Sequence, residues 1–396
     1  MLFKILIFIV VLFSIALLLI LFGQLPSYNE TFIHKGRQFL VNAIFLPIAS
    51  GMERIDRRLF KGYCSRLIFG KEIRWLLGWF TPLFYVILMS LCLNYFMVAV
   101  YPVVVVSYNC DPIWNFRFLF IIAPTLILNY WSFAMATLCD AGNISKLSPE
   151  KMNSMEKKFK CNGLIFFDGF QCRTCLTPKI ARSKHCSTCN DRCVLLFDHH
   201  CIWLNNDVGY YNYRYFLIFL FEISITLGYG SYLCYVGLSY NLQRAQLPPD
   251  VQSQYHFKQL WFLMRETSLQ NEIMGVLCLL AGILCPLVAM FLFEHLWYIY
   301  LGVTTNESLK WDYIRQLIEY KVLFKFTKVP SNEEVFLMTE PDPTSELGVV
   351  FKRLSNDEPF KVVSGKLDRI ESWDDLDNIY DSGFFKNLHE RMFPVM

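Results

Sequence analysis

Charge is what this chain of 396 residues has little of: 18% of its positions are Asp, Glu, Lys or Arg, against about 25% in a typical soluble domain. A long basic tract is also missing and the formal net charge is only +3, so nothing calls for a nucleic-acid partner. No A-x-A-like site follows the first apolar run, and a retained anchor is expected there instead of a cleaved signal peptide. Apolar residues fill the space: 54% of the chain is hydrophobic and the mean hydropathy is +0.33. They gather in uncharged runs long enough to cross a hydrocarbon core of about 30 Å. A single soluble domain is excluded, and so is an intrinsically disordered chain.

Five stretches qualify as membrane helices: 5–22, a segment within 75–106 with Pro82 and Pro102 as kink sites, 118–138, 215–238 and 273–300. Lys and Arg crowd the segment 23–74 (Lys35, Arg37, Arg54, Arg57, Arg58, Lys61, Arg66, Lys71, Arg74) and the segment 140–213, but spare 107–116. By the positive-inside rule the N-terminus faces the lumen, and both 140–213 and the tail face the cytosol. The expected architecture is a multi-pass α-helical membrane protein of about five spans with a cytosolic zinc-binding cysteine-rich domain. Its parts are an anchor and basic segment (1–74), spans two and three (75–139), the cysteine-rich domain (140–213), spans four and five (214–302) and a tail (303–396). Residues 331–370 read as solvated and partly disordered tail. The closing NIYDSGFFKNL (378–388) is too aromatic for that and is expected to pack.

Six of the fourteen cysteines lie between 172 and 201, interleaved with His185, His199 and His200. That mixture reads as metal ligation and thiol chemistry in a reducing compartment. Cys172-x2-Cys175-x9-His185 is followed at once by Cys186-x2-Cys189, with a histidine pair after nine and ten intervening residues. Two tetrahedral sets emerge. One is Cys172, Cys175, His185 and Cys193. The other is Cys186, Cys189, a histidine of the 199/200 pair and Asp207, with water or Asp191 as alternative fourth ligands. Cys201 is left over. Asp198-His199-His200-Cys201 offers a carboxylate to orient an imidazole and an imidazole to take a thiol proton, the division of labour of a catalytic triad. His200 then goes to the metal.

These residues resemble the DHHC palmitoyltransferases (protein S-acyltransferases). KIARSKHCSTC is similar to the family's basic stretch before its second Cys-x-x-Cys, with Ile180 in place of proline. NNDVGYYNYRYF (205–216), Asp140-Ala141-Gly142, Thr304-Thr305-Asn306-Glu307 and the terminal NIYDSGFFKN resemble its other motifs. Three positions depart: Asp191 lengthens the spacing between Cys189 and Cys193, Asp207 stands where the family has its last zinc-ligating cysteine, and Ala141 replaces a proline. The resemblance implies two structural zincs, the second held by Cys186, Cys189 and His200, with Thr305 supporting Asp198 and Asn212 in a further supporting role. It implies acyl transfer from palmitoyl-CoA through an acyl-enzyme at Cys201 to cysteines of membrane proteins.

Lys179, Arg182 and Lys184 are the candidates to meet the CoA phosphates. Expected partners are acyl-CoA, the lipid bilayer and membrane proteins with cytosolic juxtamembrane cysteines. The chain is similar to fungal endoplasmic-reticulum enzymes that acylate SNAREs, which places it in that membrane, with the Golgi second. Glu222, Glu294 and His295 are ionisable groups in or near spans, for which packing roles are expected. A membrane-anchored zinc adaptor or ubiquitin-ligase-like module is the alternative function. It lacks a terminal Cys-x2-Cys and leaves Asp198, His199 and Cys201 unused.

Overall fold

The computed structural model describes residues 2–23, 28, 31–59, 77–108, 120, 122–329, 333–342, 349–360 and 365–395. Lys61, Arg66, Lys71 and Arg74, and positions 109–116 of the second inter-span loop, lie outside them. The chain forms two compact units: Met1–Leu138 with Ile202–Asn205 and Tyr215–Glu294, and Cys139–Cys201 with Asn206–Arg214 and His295–Met396.

The first unit is helical. Its elements are α1 (Leu2–Phe22), α2 (Phe32–Phe39), α3 (Leu46–Leu59), α4 (Phe80–Ser107), α5 (Ala123–Leu138), most of α7 (Tyr213–Arg244), α8 (His256–Glu266) and most of α9 (Leu269–Tyr300). Among the described residues, α4, α7 and α9 are long and apolar enough to cross a membrane. The other two expected spans are also helical, as α1 and α5. Within α4 the five residues Phe96–Val100 take a π-helical turn just before Pro102. A proline has no N–H to offer the preceding turn, and the widened turn absorbs that loss. Val100, Val104, Leu233, Leu238, Leu263 and Met274 form its buried core. Polar pairs tie the helices where water is scarce: Tyr85 Oη donates to Asn129 Oδ1 at 2.7 Å, and Asn241 Nδ2 to Asn271 Oδ1 at 2.7 Å. Glu222 is buried on α7 and Glu294 is half-buried on α9.

The second unit is built from loops, β-strands and three helices. Helix α6 (Pro149–Lys158) precedes two small ladders, β1 (Lys184–His185) with β2 (Cys193–Val194) and β3 (His199–Cys201) with β4 (Asn206–Val208). After α9 come α10 (Thr305–Glu319) and a four-stranded antiparallel sheet of order β7-β6-β5-β8. Its strands are β5 (Leu323–Lys328), β6 (Glu333–Pro341), β7 (Val349–Arg353) and β8 (Gly365–Arg369), and α11 (Phe384–Met392) closes the chain. The reading of 331–370 as solvated, partly disordered tail is thereby corrected over 333–341, 349–353 and 365–369, while 331–332, 343–348 and 361–364 lie outside the described residues. Leu323, Phe326, Leu337 and Met338 are buried in this sheet, enough apolar surface to hold it together although charged residues flank them.

The aromatic terminus packs as expected. Asn378 Nδ2 donates to Leu301 O (3.0 Å), Asn387 Nδ2 to Ile299 O (3.0 Å) and Tyr380 Oη to Lys160 O (2.7 Å). The first two acceptors are carbonyls at the end of α9, where helical partners run out.

Candidate active site and metal centres

Strand geometry sorts the histidine pair. Successive side chains of a strand point to opposite faces, so on β3 His199 and Cys201 share one face and His200 takes the other. Antiparallel pairing sets His200 opposite Asp207. His200 Nδ1 lies 2.9 Å from Asp207 Oδ1, 3.7 Å from Cys186 Sγ and 3.5 Å from Cys189 Sγ. In the other set His185 Nδ1 is 3.2 Å from Cys175 Sγ and 3.9 Å from Cys193 Sγ, with Cys172 completing it. In each set of four, one ligand atom per residue lies within 4.8 Å of all the others, so each could hold a metal ion.

Zinc bonds of about 2.3 Å to sulfur and about 2.0 Å to nitrogen, set tetrahedrally, hold S and N about 3.5 Å apart. The observed S···N separations bracket that value, and the mix of thiolate, imidazole and carboxylate suits the ion. Asp191 stands apart from both sets, exposed and paired with Arg192 at 2.8 Å. The residue it adds is taken up where Asn190 adopts φ 55°.

Around the leftover groups the site is tightly knit. Asp198 Oδ2 accepts from His199 Nδ1 at 2.7 Å and from Thr305 Oγ1 at 2.9 Å, and Asp198 Oδ1 from the Thr305 N–H at 2.9 Å. Thr304 caps α10, with Glu307 closing a capping box, so Asp198 sits at a helix N-terminus that favours its negative charge. Burial opposes that charge, yet the His199 bond, the charges of His295 and His199 and the Thr305 N–H hold the Asp198 carboxyl far below its usual range. Burial alone would make His199 less basic. Its hydrogen bonds to Asp198 and Cys201, with their charges, outweigh this and raise it to about 10.

Asn212 Oδ1 accepts from the Gly209 N–H at 2.9 Å and its Nδ2 donates to Asp207 O at 2.8 Å. Gly209 is required there, since a Cβ would lie 2.6 Å from Ala141 O. Asp140 folds an Asx turn onto the N–H groups of Gly142 and Asn143, both at 2.7 Å. Leu195 N then bonds to Gly142 O at 2.9 Å.

One expectation changes. Arg182 is 2% exposed and is not offered to a solvent-borne phosphate. It donates to Glu307 Oε1 (2.7 Å) and Oε2 (2.6 Å) and to Gly302 O (2.9 Å), and stacks on Tyr380 at 4.8 Å. His295, read as a packing residue, is fully buried. Its Nδ1 lies 3.8 Å from Asp198 Oδ2 and 3.1 Å from Tyr213 Oη, and its ring centre lies 5.6 Å from that of His199.

Lys184 and Lys179 remain exposed, Lys184 donating to Asn306 Oδ1 at 2.8 Å. Near them is Lys310, which the sequence did not single out. Burial and then the charges of Lys184 and Lys179 lower its pKa to about 8, against the pull of Glu307.

Comparison with known proteins bears on this geometry. A model of the DHHC palmitoyltransferase family matches residues 166–312, which contain both metal sets, Asp198–Cys201 and the Thr304–Glu307 cap. The chain is 36% identical to palmitoyltransferase SWF1 of Debaryomyces hansenii over 398 residues, covering 99% of this chain and 98% of that one. It is 35% identical to palmitoyltransferase SWF1 of Candida albicans over 399 residues, 99% of each. To palmitoyltransferase swf1 of Schizosaccharomyces pombe it is 30% identical over 383 residues, 96% of this chain and 94% of that one. Likeness on this scale, end to end, settles the family: the chain belongs to the DHHC palmitoyltransferases.

Proposed function

We propose that this protein S-palmitoyltransferase works in two thioester exchanges through Cys201. The Cys201 thiolate attacks the thioester carbonyl of palmitoyl-CoA. The C–S bond to CoA breaks, and the leaving thiolate takes the proton held on His199. A substrate cysteine then gives its proton to His199 and attacks the acyl-cysteine, which releases Cys201 as thiolate again. Each step trades one thioester for another, so no external energy source is required. Asp198 keeps the His199 Nδ1 proton bonded and its ring oriented, and Thr305 holds Asp198.

The observation that carries this reading is the hydrogen-bonded run from Thr305 through Asp198 and His199 to Cys201, on the strand face opposite His200. The two sets of four ligands suit structural zinc, which would supply folding energy and leave no open position for water activation. Lys179, Lys184 and Lys310 are the groups we assign to the CoA phosphates in place of Arg182.

Cys201 shortly precedes α7, a helix apolar enough to cross a membrane, which favours substrate cysteines just outside a bilayer. SNAREs with cytosolic juxtamembrane cysteines fit that description, and the endoplasmic-reticulum membrane is the proposed location. A sixteen-carbon chain, at about 0.8 kcal/mol per CH₂, prefers apolar surroundings by on the order of 10 kcal/mol. It belongs among helices while CoA stays in the cytosol.

The test is incubation with radiolabelled palmitoyl-CoA. A hydroxylamine-labile label on residue 201, absent in Cys201→Ala, is the expected result. A zinc adaptor would take no label, and the Cys201→Ala change would leave its activity intact.

A further inference from the structure

Two helices of the first unit carry their chemistry outward. In α3 the large apolar residues Met52, Ile55 and Leu59 follow the three-and-four spacing of one helical face, and all are exposed, Leu59 at 70%. Arg54, Arg57 and Arg58 occupy the other side and are exposed too. In α2, Phe32 (79% exposed) and Phe39 (64%) stand two turns apart, while Ile33 is buried. A π-helical stretch, Leu40–Phe45, joins the two without a break. Lys35, Arg37, Arg54, Arg57 and Arg58 face only two acidic residues across 32–59, Glu53 and Asp56, and Glu53 is paired with Arg57.

This long helix is pinned beside the end of α1. His34 Nδ1 bonds Gly23 O at 3.0 Å. A Cβ on Gly36 would lie only 3.0 Å from Leu19 Cδ2. Helix α1 carries one charge, Lys4, in 21 residues, and with α1 read as the retained anchor its far end is a bilayer surface.

A soluble unit would turn such an apolar stripe inward. A helix that exposes it beside a row of arginines matches an interfacial layer of acyl chains below and phosphates above. We infer that residues 32–59 form an anionic-lipid-binding helix lying in the plane of the membrane. Phe32, Phe39, Met52, Ile55 and Leu59 sink to the headgroup boundary, and Arg54, Arg57 and Arg58 pair with lipid phosphate and carboxylate groups. The charge balance decides for a lipid surface rich in anionic headgroups over a neutral one.

The experiment uses the full chain in vesicles of phosphatidylcholine alone or of phosphatidylcholine with phosphatidylserine. Both are doped with a phospholipid bearing a diazirine near its headgroup, and adducts are mapped by mass spectrometry after illumination. Adducts at 32–59 that rise several-fold with phosphatidylserine support the inference. They should fall back in an Arg54→Gln, Arg57→Gln, Arg58→Gln variant whose metal content matches the parent. Equal labelling in both vesicle types would overturn the anionic preference. An unlabelled 32–59, or cross-links there to a second copy of the chain, would overturn the membrane contact itself.

Discussion

His200 and Asp207 face each other across the β3–β4 ladder, Nδ1 and Oδ1 2.9 Å apart. The register that brings them together also turns His199 and Cys201 away. On the roles proposed for these residues, one two-stranded ladder separates metal ligation from acyl chemistry on adjacent positions, and Asp207, the harder ligand, is the weak point of the second set. Asp207→Cys is expected to keep both metals and to surrender the second more slowly to a chelator. Asp207→Ala should lose it, and with it a share of the roughly 10–16 kcal/mol that a structural zinc contributes, so acylation disappears. Metal analysis before and after chelation decides. Two tightly held metals in the parent and fewer in Asp207→Cys would mean that Asp207 is not the weakened ligand proposed here.

The buried Arg182–Glu307 pair should behave as structure. Arg182→Gln leaves the Glu307 carboxylate unpaired in the interior, at a cost of about 3–5 kcal/mol. Arg182→Lys cannot reproduce the forked bond to both carboxylate oxygens. Both variants are expected to lower the thermal midpoint in detergent. A normal midpoint with a raised KM for palmitoyl-CoA would return Arg182 to the phosphate-binding role.

Local spacing made the metal sets and the Asp-His-His-Cys quartet readable, because the ligands repeat in sequence as they do in space. The strand that divides His199 from His200 is only three residues long, and its alternation could be applied to them once its pairing was known. Arg182 meets Glu307 across 125 residues, and no local pattern encodes a contact of that range. His295 lies in an apolar helix, where its period matches ordinary packing. In the tail sheet, Glu333, Glu334, Glu340, Lys352 and Lys366 interrupt the apolar residues of the strands, so composition resembled a solvated tail while Leu337 and Met338 were becoming core. Lys310 sits among ordinary helical residues, and only folding brings it near Lys179 and Lys184.

Thr305→Val removes one charged hydrogen bond to Asp198 and keeps the backbone one. Such bonds contribute about 1.5–3 kcal/mol, so formation of the acyl-enzyme should slow by roughly 10- to 100-fold in single turnover. Thr305→Ser should recover most of the rate. A valine variant as fast as the parent would show that the hydroxyl does not hold Asp198 for catalysis.

The Asp198–His199 pair also sets a pH window. His199, raised from 6.5 to about 10, adds stability that is complete below pH 6.5 and fades as pH rises through 10. Asp198, lowered from 3.8, adds stability that is complete above that value and lost in stronger acid. The parent's advantage in thermal midpoint over His199→Gln should therefore shrink steadily from about pH 6.5 to about pH 10. His199 also hydrogen-bonds Cys201, and an imidazole so placed can take a thiol proton, so iodoacetamide should alkylate Cys201 more slowly in His199→Gln. An advantage that grew with pH would reverse the assigned sign.

Lys184 and Lys310 offer the sharpest division between donor binding and chemistry. Charge-assisted bonds to phosphate act on CoA before and after the acyl group leaves, so they bind ground state and transition state alike. Removing them raises KM and spares kcat. Lys184→Gln and Lys310→Gln should each raise KM for palmitoyl-CoA by several-fold, weaken inhibition by free CoA to the same extent, and flatten the dependence of KM on salt. Transfer from a preformed acyl-enzyme to a substrate cysteine should be unchanged, since CoA has by then departed. A fall in that second step, with KM unmoved, would instead place these lysines at the protein-substrate side of the site.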